Sequence, residues 1–326
     1  MPQPSRRLQL AGAALLLVLG SGLQAQDPPP ASTAADFLFQ TGVSALSAGK
    51  YHEAEINFRR LIELEPASSR GILGLAQVYL AQKKQDEALR LLQAESEKAP
   101  RNVELHFAIG NLALQSAKFD LAIAEFHHVL DASDRNSNAA AQLYFLLGEA
   151  HRRKGDIDAS VALYQQAQKL LPGNLPITNA LAFVLDATGK RQAAEAEYRK
   201  IIEADPKNAL AMNNLAFLLA DDGTDLDLAL AYALRARQLA PNEYKIADTL
   251  GWVYLKMKST DEAIAMFRDA VEKDPASVVC RYHLAMALGQ KGERAEAAKE
   301  LQTALKNNPS KAEEQMIREL LHQIGQ

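Results

Sequence analysis

The sequence predicts an all-α fold built from repeated helical hairpins, and three observations carry this prediction. Hydrophobic residues make up 48% of the 326 residues while aromatic residues make up only 6%, and the abundance of Ala and Leu favours helices over strands. Prolines recur at a nearly constant interval along most of the chain. Between successive prolines, apolar and small residues recur at steps of three and four, which is the spacing of one helix face.

The recurring prolines define a repeat of about 34 residues. Their successive intervals are 34, 72, 34, 35, 34 and 34 residues, and they are Pro66, Pro100, Pro172, Pro206, Pro241, Pro275 and Pro309. Asp134 stands where the long interval lacks a proline, so the sequence predicts eight units, with four extra residues in the turn at 135–140 and one near 221–227.

Each closing proline is predicted to separate two helices. Proline disfavours helical geometry in the residue before it and has no N–H to donate, so it stops the second helix of a unit. A Ser or Asn side chain within the next two residues can then accept from the exposed N–H groups that open the following helix. These predicted N-caps are Ser68, Asn102, Asn174, Asn208, Asn242, Ser277 and Ser310.

The unit at 247–275 shows the repeat most clearly. It contains Leu250-Gly251 with Tyr254 three residues later, then Ala263 with Phe267 four residues later, and it closes at Pro275. This L-G-x-x-Y, A-x-x-x-F, P pattern resembles the tetratricopeptide repeat. The resemblance extends from about Ala35 to Ser310, and it implies a right-handed α-solenoid of about eight helix–turn–helix repeats followed by a C-terminal capping helix.

Four regions follow from these patterns. Residues 1–25 have the charged, apolar and small-residue parts of an export signal, and residues 26–34 form a Pro-rich linker. The repeat solenoid occupies 35–309, and 310–326 is a capping helix with capping-box spacing between Ser310 and Glu313. We therefore expect an exported protein, periplasmic or secreted. The alternatives are an inner-membrane anchor, if the signal is not cleaved, and a partner-binding role for the last helix.

The residue types do not predict an enzyme, and no cofactor or metal is expected. Phosphate-loop, dinucleotide-binding and H-E-x-x-H motifs are missing from the sequence. Cys280 is the single cysteine, and it is expected to be buried as a small hydrophobic residue. His283 is expected to pack or face water, and Asp221-Asp222 are expected in a turn or first helical turn, where they would complement the helix dipole.

The charge pattern excludes another class of partner. Lys and Arg number 36 against 40 Asp and Glu, and the two signs are interspersed, so the chain lacks the basic footprint of a nucleic-acid-binding protein. A protein partner is expected instead.

The resemblance implies that the first helices of the units line a concave groove and that the fifth and ninth positions face a ligand. The residues placed there are Phe107, Asn111, Phe145, Asn179, Phe183, Asn213, Phe217, Asp248, Trp252 and Tyr282. Their aromatic rings would hold apolar side chains, and their amides could pair with the backbone of an extended peptide. The alternative is that some of these aromatics pack as core. Arg152, Arg153 and Lys245 are the nearby basic residues, and they do not reproduce a clamp for a C-terminal carboxylate.

These features together predict a non-catalytic protein–protein interaction scaffold of the cell envelope. It would bind an extended polypeptide in the groove, in the assembly of an envelope or secretion complex. The runs 213–220 and 248–252 are similar to repeats of bacterial envelope and exopolysaccharide-associated proteins. The alternatives are a structural component that self-associates and a carbohydrate-binding accessory of polysaccharide export, since an aromatic groove can also stack sugars. Trp252 is the leading candidate for ligand contact.

Overall fold

The computed structural model describes residues 33–325. The predicted signal peptide, and the linker apart from its last two residues, lie outside this range. Within it the chain forms seventeen α-helices and no strand, so the predicted all-α class is confirmed. The helices belong to two compact units, one ending at Pro172 and the other beginning at Gly173.

The first unit contains four helical hairpins. Its helices are α1 (Thr33–Ser47), α2 (Tyr51–Leu64), α3 (Ser69–Ala81), α4 (Gln85–Lys98), α5 (Val103–Gln115), α6 (Phe119–Asp131), α7 (Asn138–Lys154) and α8 (Ile157–Leu170).

The second unit contains four more hairpins and a final helix. Its helices are α9 (Leu175–Ala187), α10 (Arg191–Ala204), α11 (Ala209–Asp222), α12 (Leu226–Leu239), α13 (Tyr244–Lys256), α14 (Thr260–Lys273), α15 (Val278–Lys291), α16 (Arg294–Lys306) and α17 (Lys311–Gln323). The odd-numbered members α9 to α15 are the first helices of their hairpins, and each packs against the second helix that follows it.

A large ring on the second helix fills the centre of most hairpins. Phe58, Phe126, Tyr164, Tyr198 and Phe267 are all at most 1% exposed. In four of these five hairpins a glycine of the first helix lies directly against the ring, as the sequence pattern predicts. Because glycine has no side chain, the two helices approach closely enough for ring atoms to occupy the space that a Cβ atom would fill.

Of residues 135–140, where the sequence predicted an extended turn, 135–137 do lie in the turn, whereas 138–140 belong to the helix α7. They lengthen α7, which has 17 residues, whereas the other first helices have 13 to 15. Ser137 caps α7 by accepting from the Ala140 N–H at 3.2 Å, and the alanines that follow have the highest helix propensity. Helix formation is therefore more favourable there than an extended turn.

One of the predicted N-caps is wrong. Asn242 lies outside α13, whose N-cap residue is Glu243, and Glu243 makes no side-chain capping bond. The caps at Ser68, Asn102, Asn174, Asn208 and Ser277 are each the second residue after the closing proline and are present. Asn242 is only the first residue after Pro241, so it is one position too early.

The last helix has one apolar and one charged side. Its capping box is formed, with Ser310 accepting from the Glu313 N–H and the Glu313 carboxylate accepting from the Ser310 N–H. Ile317 is buried where α17 packs on the unit, while Glu314 and Arg318 pair on its exposed side at 2.6 Å. The charged side is solvated as expected of the cover of a repeat stack.

Candidate protein-binding surface

The three candidates of the first unit are largely occupied by contacts within their own hairpins. The Phe107 ring lies 6.0 Å from that of Phe126, and the Phe145 ring lies 5.8 Å from that of Tyr164. Asn111 is buried, and its Nδ2 donates to the Phe107 carbonyl of the same helix at 3.0 Å. These contacts favour the core alternative for the two aromatics, and a ligand-binding role for all three stays a prediction.

An aromatic cluster connects three first helices of the second unit. The Phe217 ring of α11 stacks on the Trp252 ring of α13 with centroids 6.2 Å apart and an interplanar angle of 27°. The His283 ring of α15 has its centroid 5.0 Å from that of Trp252, and the Tyr282 ring lies 6.2 Å from that of His283. The predicted residues Phe217, Trp252 and Tyr282 therefore belong to one cluster, which also includes His283.

Asp248 fixes the orientation of that histidine. The Nδ1 atom of His283 lies 2.9 Å from Oδ1 and 3.0 Å from Oδ2 of Asp248, and both side chains are largely buried. This pair positions the imidazole against Trp252, which the sequence did not predict. In residues 33–325 no group of three metal-ligating side chains converges.

The asparagine side chains are less available than the sequence suggested. Asn179 donates its Nδ2 to the Leu175 carbonyl of its own helix at 2.9 Å, so this amide N–H is already used. Asn213 is 7% exposed, and its Nδ2 donates to Oδ1 of Asn214 at 3.3 Å. Its own Oδ1 is buried without a hydrogen-bond partner in the described chain.

A second polar atom on these first helices is also unmatched. The indole Nε1 of Trp252 is buried and has no acceptor among the described residues. A buried donor or acceptor without a partner costs about 1–3 kcal/mol, and natural proteins contain few of them. Asn213 lies one turn before Phe217 on α11, so an unmatched acceptor and an unmatched donor belong to the two helices that carry the ring stack.

Three carboxylates lie at the C-terminal ends of α9 and α11. Asp186 is in the last turn of α9, and Asp221 and Asp222 end α11. The expectation that Asp221-Asp222 lie in a turn or first helical turn is therefore wrong. A helix C-terminus carries a partial negative charge, so acids are unfavourable there.

Two cations compensate part of this charge. Arg191 pairs with Asp222 at 2.5 Å and with Asp221 at 3.2 Å. Lys256 reaches Asp221 at 3.3 Å, and its Nζ lies 4.9 Å above the Trp252 ring. The Lys256 ammonium thus connects the carboxylates to the aromatic cluster.

Asp186 is the carboxylate left without a close partner. Across residues 33–325 its side chain makes neither a hydrogen bond nor a close ion pair, although it is half-buried. Burial raises the pKa of Asp186; the Arg191 charge opposes this effect, and the charges of Asp222 and Asp221 add to it. The ionised form of Asp186 is therefore less stable here than in water.

A few apolar side chains of the first helices remain open to solvent. Phe183 is 55% exposed, and Leu210 and Val279 are also exposed. Single exposed apolar residues are ordinary on a protein surface. Phe183, however, lies three residues before Asp186 on α9, so the two side chains occupy neighbouring positions on that helix.

Two of the three basic residues considered for a carboxylate clamp are engaged elsewhere. Arg152 binds Glu149 at 2.8 Å, and Arg153 donates to the Leu114 carbonyl at 2.8 Å while lying over the Phe119 ring. Cys280 is buried as expected, and burial raises the pKa of its thiol to about 12. None of the helices within 33–325 combines the length and apolar character needed to cross a bilayer.

Family models described as tetratricopeptide repeat match most of the chain. One matches residues 45–108, 151–216 and 254–321, a second matches 107–174, and a third matches 197–236.

Two relatives show the same kind of similarity. Over 277 residues the chain is 25% identical to cellulose synthase 1 operon protein C of Komagataeibacter xylinus. This alignment covers 82% of this chain and 18% of the relative. Over 141 residues the chain is 26% identical to the type IV pilus assembly protein PilF of Pseudomonas aeruginosa. This alignment covers 43% of this chain and 56% of the relative. The chain thus spans less than two thirds of either relative.

A solved structure supports the fold class. The Cut9-Hcn1 hetero-tetramer of the APC/C matches with a TM-score of 0.57 and 15% identity, covering 98% of this chain and 59% of that one. At this identity the likeness concerns the fold alone, and it agrees with the predicted α-solenoid class.

Proposed function

Because the chain belongs to the tetratricopeptide repeat family, whose fold is a protein-interaction scaffold, we propose that its second unit binds an extended polypeptide along the first helices α9, α11 and α13. The binding surface consists of Phe183, Asn213, Phe217 and Trp252, and we call it the first-helix face.

The observation that carries this proposal is the Phe217–Trp252 stack with its two unmatched polar atoms. An extended peptide brings backbone N–H and C=O groups that still lack partners, together with side chains on alternate sides. The buried Oδ1 of Asn213 is an acceptor and the Nε1 of Trp252 is a donor. A peptide backbone offers groups of both complementary kinds, and the exposed ring of Phe183 adds apolar contact.

We further propose that this binding serves the assembly of an envelope or secretion complex, by a periplasmic or secreted protein. The names of the two relatives, a cellulose synthase operon protein and a pilus assembly protein, support this role. The charged, apolar and small-residue pattern of residues 1–25 supports export. The scaffold itself is proposed to be non-catalytic.

The arrangement of the rings favours a peptide over a sugar. A sugar stacks on an open aromatic face, but Phe217 lies against the Trp252 ring and the Lys256 ammonium lies 4.9 Å from it. Glycan binding by the purified protein without a protein partner would reverse this preference. Self-association is the other alternative, and sedimentation of the purified protein as a stable oligomer would favour it.

The proposal is tested by crosslinking in the cells that produce the protein, followed by identification of the captured partners. Phe183→Ala and Trp252→Ala are expected to reduce capture strongly. Leu234→Ala is the matched control, because Leu234 is an exposed apolar residue on the second helix α12. Unchanged capture by both variants, with unchanged circular dichroism, would exclude the first-helix face as the binding site.

A further inference from the structure

We propose that the first-helix face selects polypeptides in which a basic side chain follows or precedes an apolar one by two positions. In this arrangement Asp186 receives the ammonium or guanidinium group, and Phe183 contacts the apolar side chain. This inference rests on the proposed function, because it names the chemistry of the partner that binds the same surface.

The charges at the ends of α9 and α11 favour a basic partner. Three carboxylates, those of Asp186, Asp221 and Asp222, face two cations, Arg191 and Lys256. One negative charge is therefore uncompensated, and the C-terminal carbonyl groups of α9 and α11 add to the negative potential. A positively charged group is attracted to this place, and an acidic one is repelled.

The uncompensated negative charge belongs to one residue, Asp186. Arg191 and Lys256 are bound to Asp221 and Asp222, and Asp186 has no close partner among residues 33–325. Its half-buried carboxylate is poorly solvated. A partner cation next to Asp186 replaces lost hydration by a charge-assisted hydrogen bond, which is stronger than a neutral one.

The distance between Phe183 and Asp186 fits the side-chain spacing of an extended peptide. Phe183 and Asp186 are three residues apart on α9, so their Cβ atoms are about 5–6 Å apart. In an extended chain, side chains two positions apart point to the same side and are separated by about 6.7 Å. An apolar and a basic residue at this spacing can contact Phe183 and Asp186 simultaneously.

The experiment selects ligands without assuming a sequence. A phage-displayed library of random twelve-residue peptides is panned on the purified protein, and enriched peptides are tested against Phe183→Ala and Trp252→Ala. We expect enrichment of Lys or Arg two positions from an apolar residue. Peptides that need Phe183 and Trp252 but show no basic preference overturn this inference and leave the proposed function standing. Failure to enrich any peptide that depends on these two side chains overturns both.

A double-mutant cycle then assigns the cation to Asp186. Replacing the basic residue of a selected peptide by norleucine is expected to weaken Kd about fivefold against the unchanged protein and by less than about 1.5-fold against Asp186→Asn. Asp227→Asn is the control, because Asp227 is an exposed carboxylate in the first turn of the second helix α12. An equal loss against the unchanged protein and Asp186→Asn overturns the assignment. Asn has nearly the same size and shape as Asp, so Asp186→Asn is expected to fold, which circular dichroism checks.

Discussion

Replacement of Gly251 by alanine tests the packing that forms each hairpin. A Cβ atom built on Gly251 would lie 2.7 Å from both Cδ1 and Cε1 of the Phe267 ring. Non-bonded carbons are most stable at about 3.5–4.0 Å, so the ring or the helix would have to move by nearly an ångström. Phe267 is fully buried, and the close-packed surroundings leave it little room to move.

Two opposing contributions determine how much Gly251→Ala changes the free energy of unfolding. Overpacking a filled core costs about 1–3 kcal/mol, whereas replacing a helical glycine by alanine gains about 1 kcal/mol of helix propensity. Gly289→Ala isolates the second contribution, because the added Cβ would lie 3.4 Å from its nearest neighbour, Cγ2 of Ile324. The propensity gain cancels between the two variants, so Gly251→Ala should be less stable than Gly289→Ala by about 2 kcal/mol.

Urea unfolding measures this difference by circular dichroism at 222 nm. Trp252 is the single tryptophan of the chain, so its fluorescence reports the hairpin that contains Gly251. The second variant Phe267→Leu, introduced together with Gly251→Ala, should recover part of the loss because it removes ring atoms from the contact. Equal stability of Gly251→Ala and Gly289→Ala would refute the close-packing argument.

Two further predictions concern strain and charge. Ala117 has a φ of 57°, where a side chain is unfavourable by about 1–2 kcal/mol. Ala117→Gly should therefore stabilise the protein by about 0.5–1 kcal/mol, after the entropy cost of glycine is subtracted. Gly189 has a φ of 72°, so Gly189→Ala should lower the melting temperature, whereas Ala117→Gly should raise it. Because burial raises the pKa of Asp186 above its ordinary 3.8, the unfolded chain loses this proton first, and stability declines as pH rises from the unfolded pKa through the folded one. The melting temperature of Asp186→Asn should therefore exceed that of the unchanged protein at pH 7 but not at pH 3.5. A lower melting temperature of Asp186→Asn at pH 7 would contradict this reasoning, and so would an equal increase in the melting temperature of Asp227→Asn.

The fold was predictable because the same residue pattern recurs in eight units of the sequence. A single motif such as Gly251 with Phe267 is a weak signal, but recurring spacing leaves few alternatives. The error at 138–140 has a local cause, since spacing alone does not show whether inserted residues extend a turn or a helix. Ser137 followed by alanines was the signal that could have decided it.

The binding surface was predictable only in part. Positions within the repeat placed Phe217 and Trp252 together, and the structure brings their rings into contact. The same rule could not show that Phe107 packs on Phe126 within one hairpin, because both kinds of aromatic have the same helical period. Nor could it reveal the Asp248–His283 pair, whose members are 35 residues apart.

Several unfavourable features of the second unit lie on its first helices α9, α11 and α13. Carboxylates lie in the last turns of α9 and α11, where the helix dipole opposes them. Asp186 is half-buried without a close cation. The buried Oδ1 of Asn213 and Nε1 of Trp252 lack hydrogen-bond partners, and the Phe183 ring is exposed. The polar features among these cost stability. Departures from local consistency are expected where function requires them. A bound polypeptide that supplies a cation, an apolar side chain and backbone hydrogen-bonding groups would relieve all of these costs at once, which is why the binding energy should concentrate on the first-helix face.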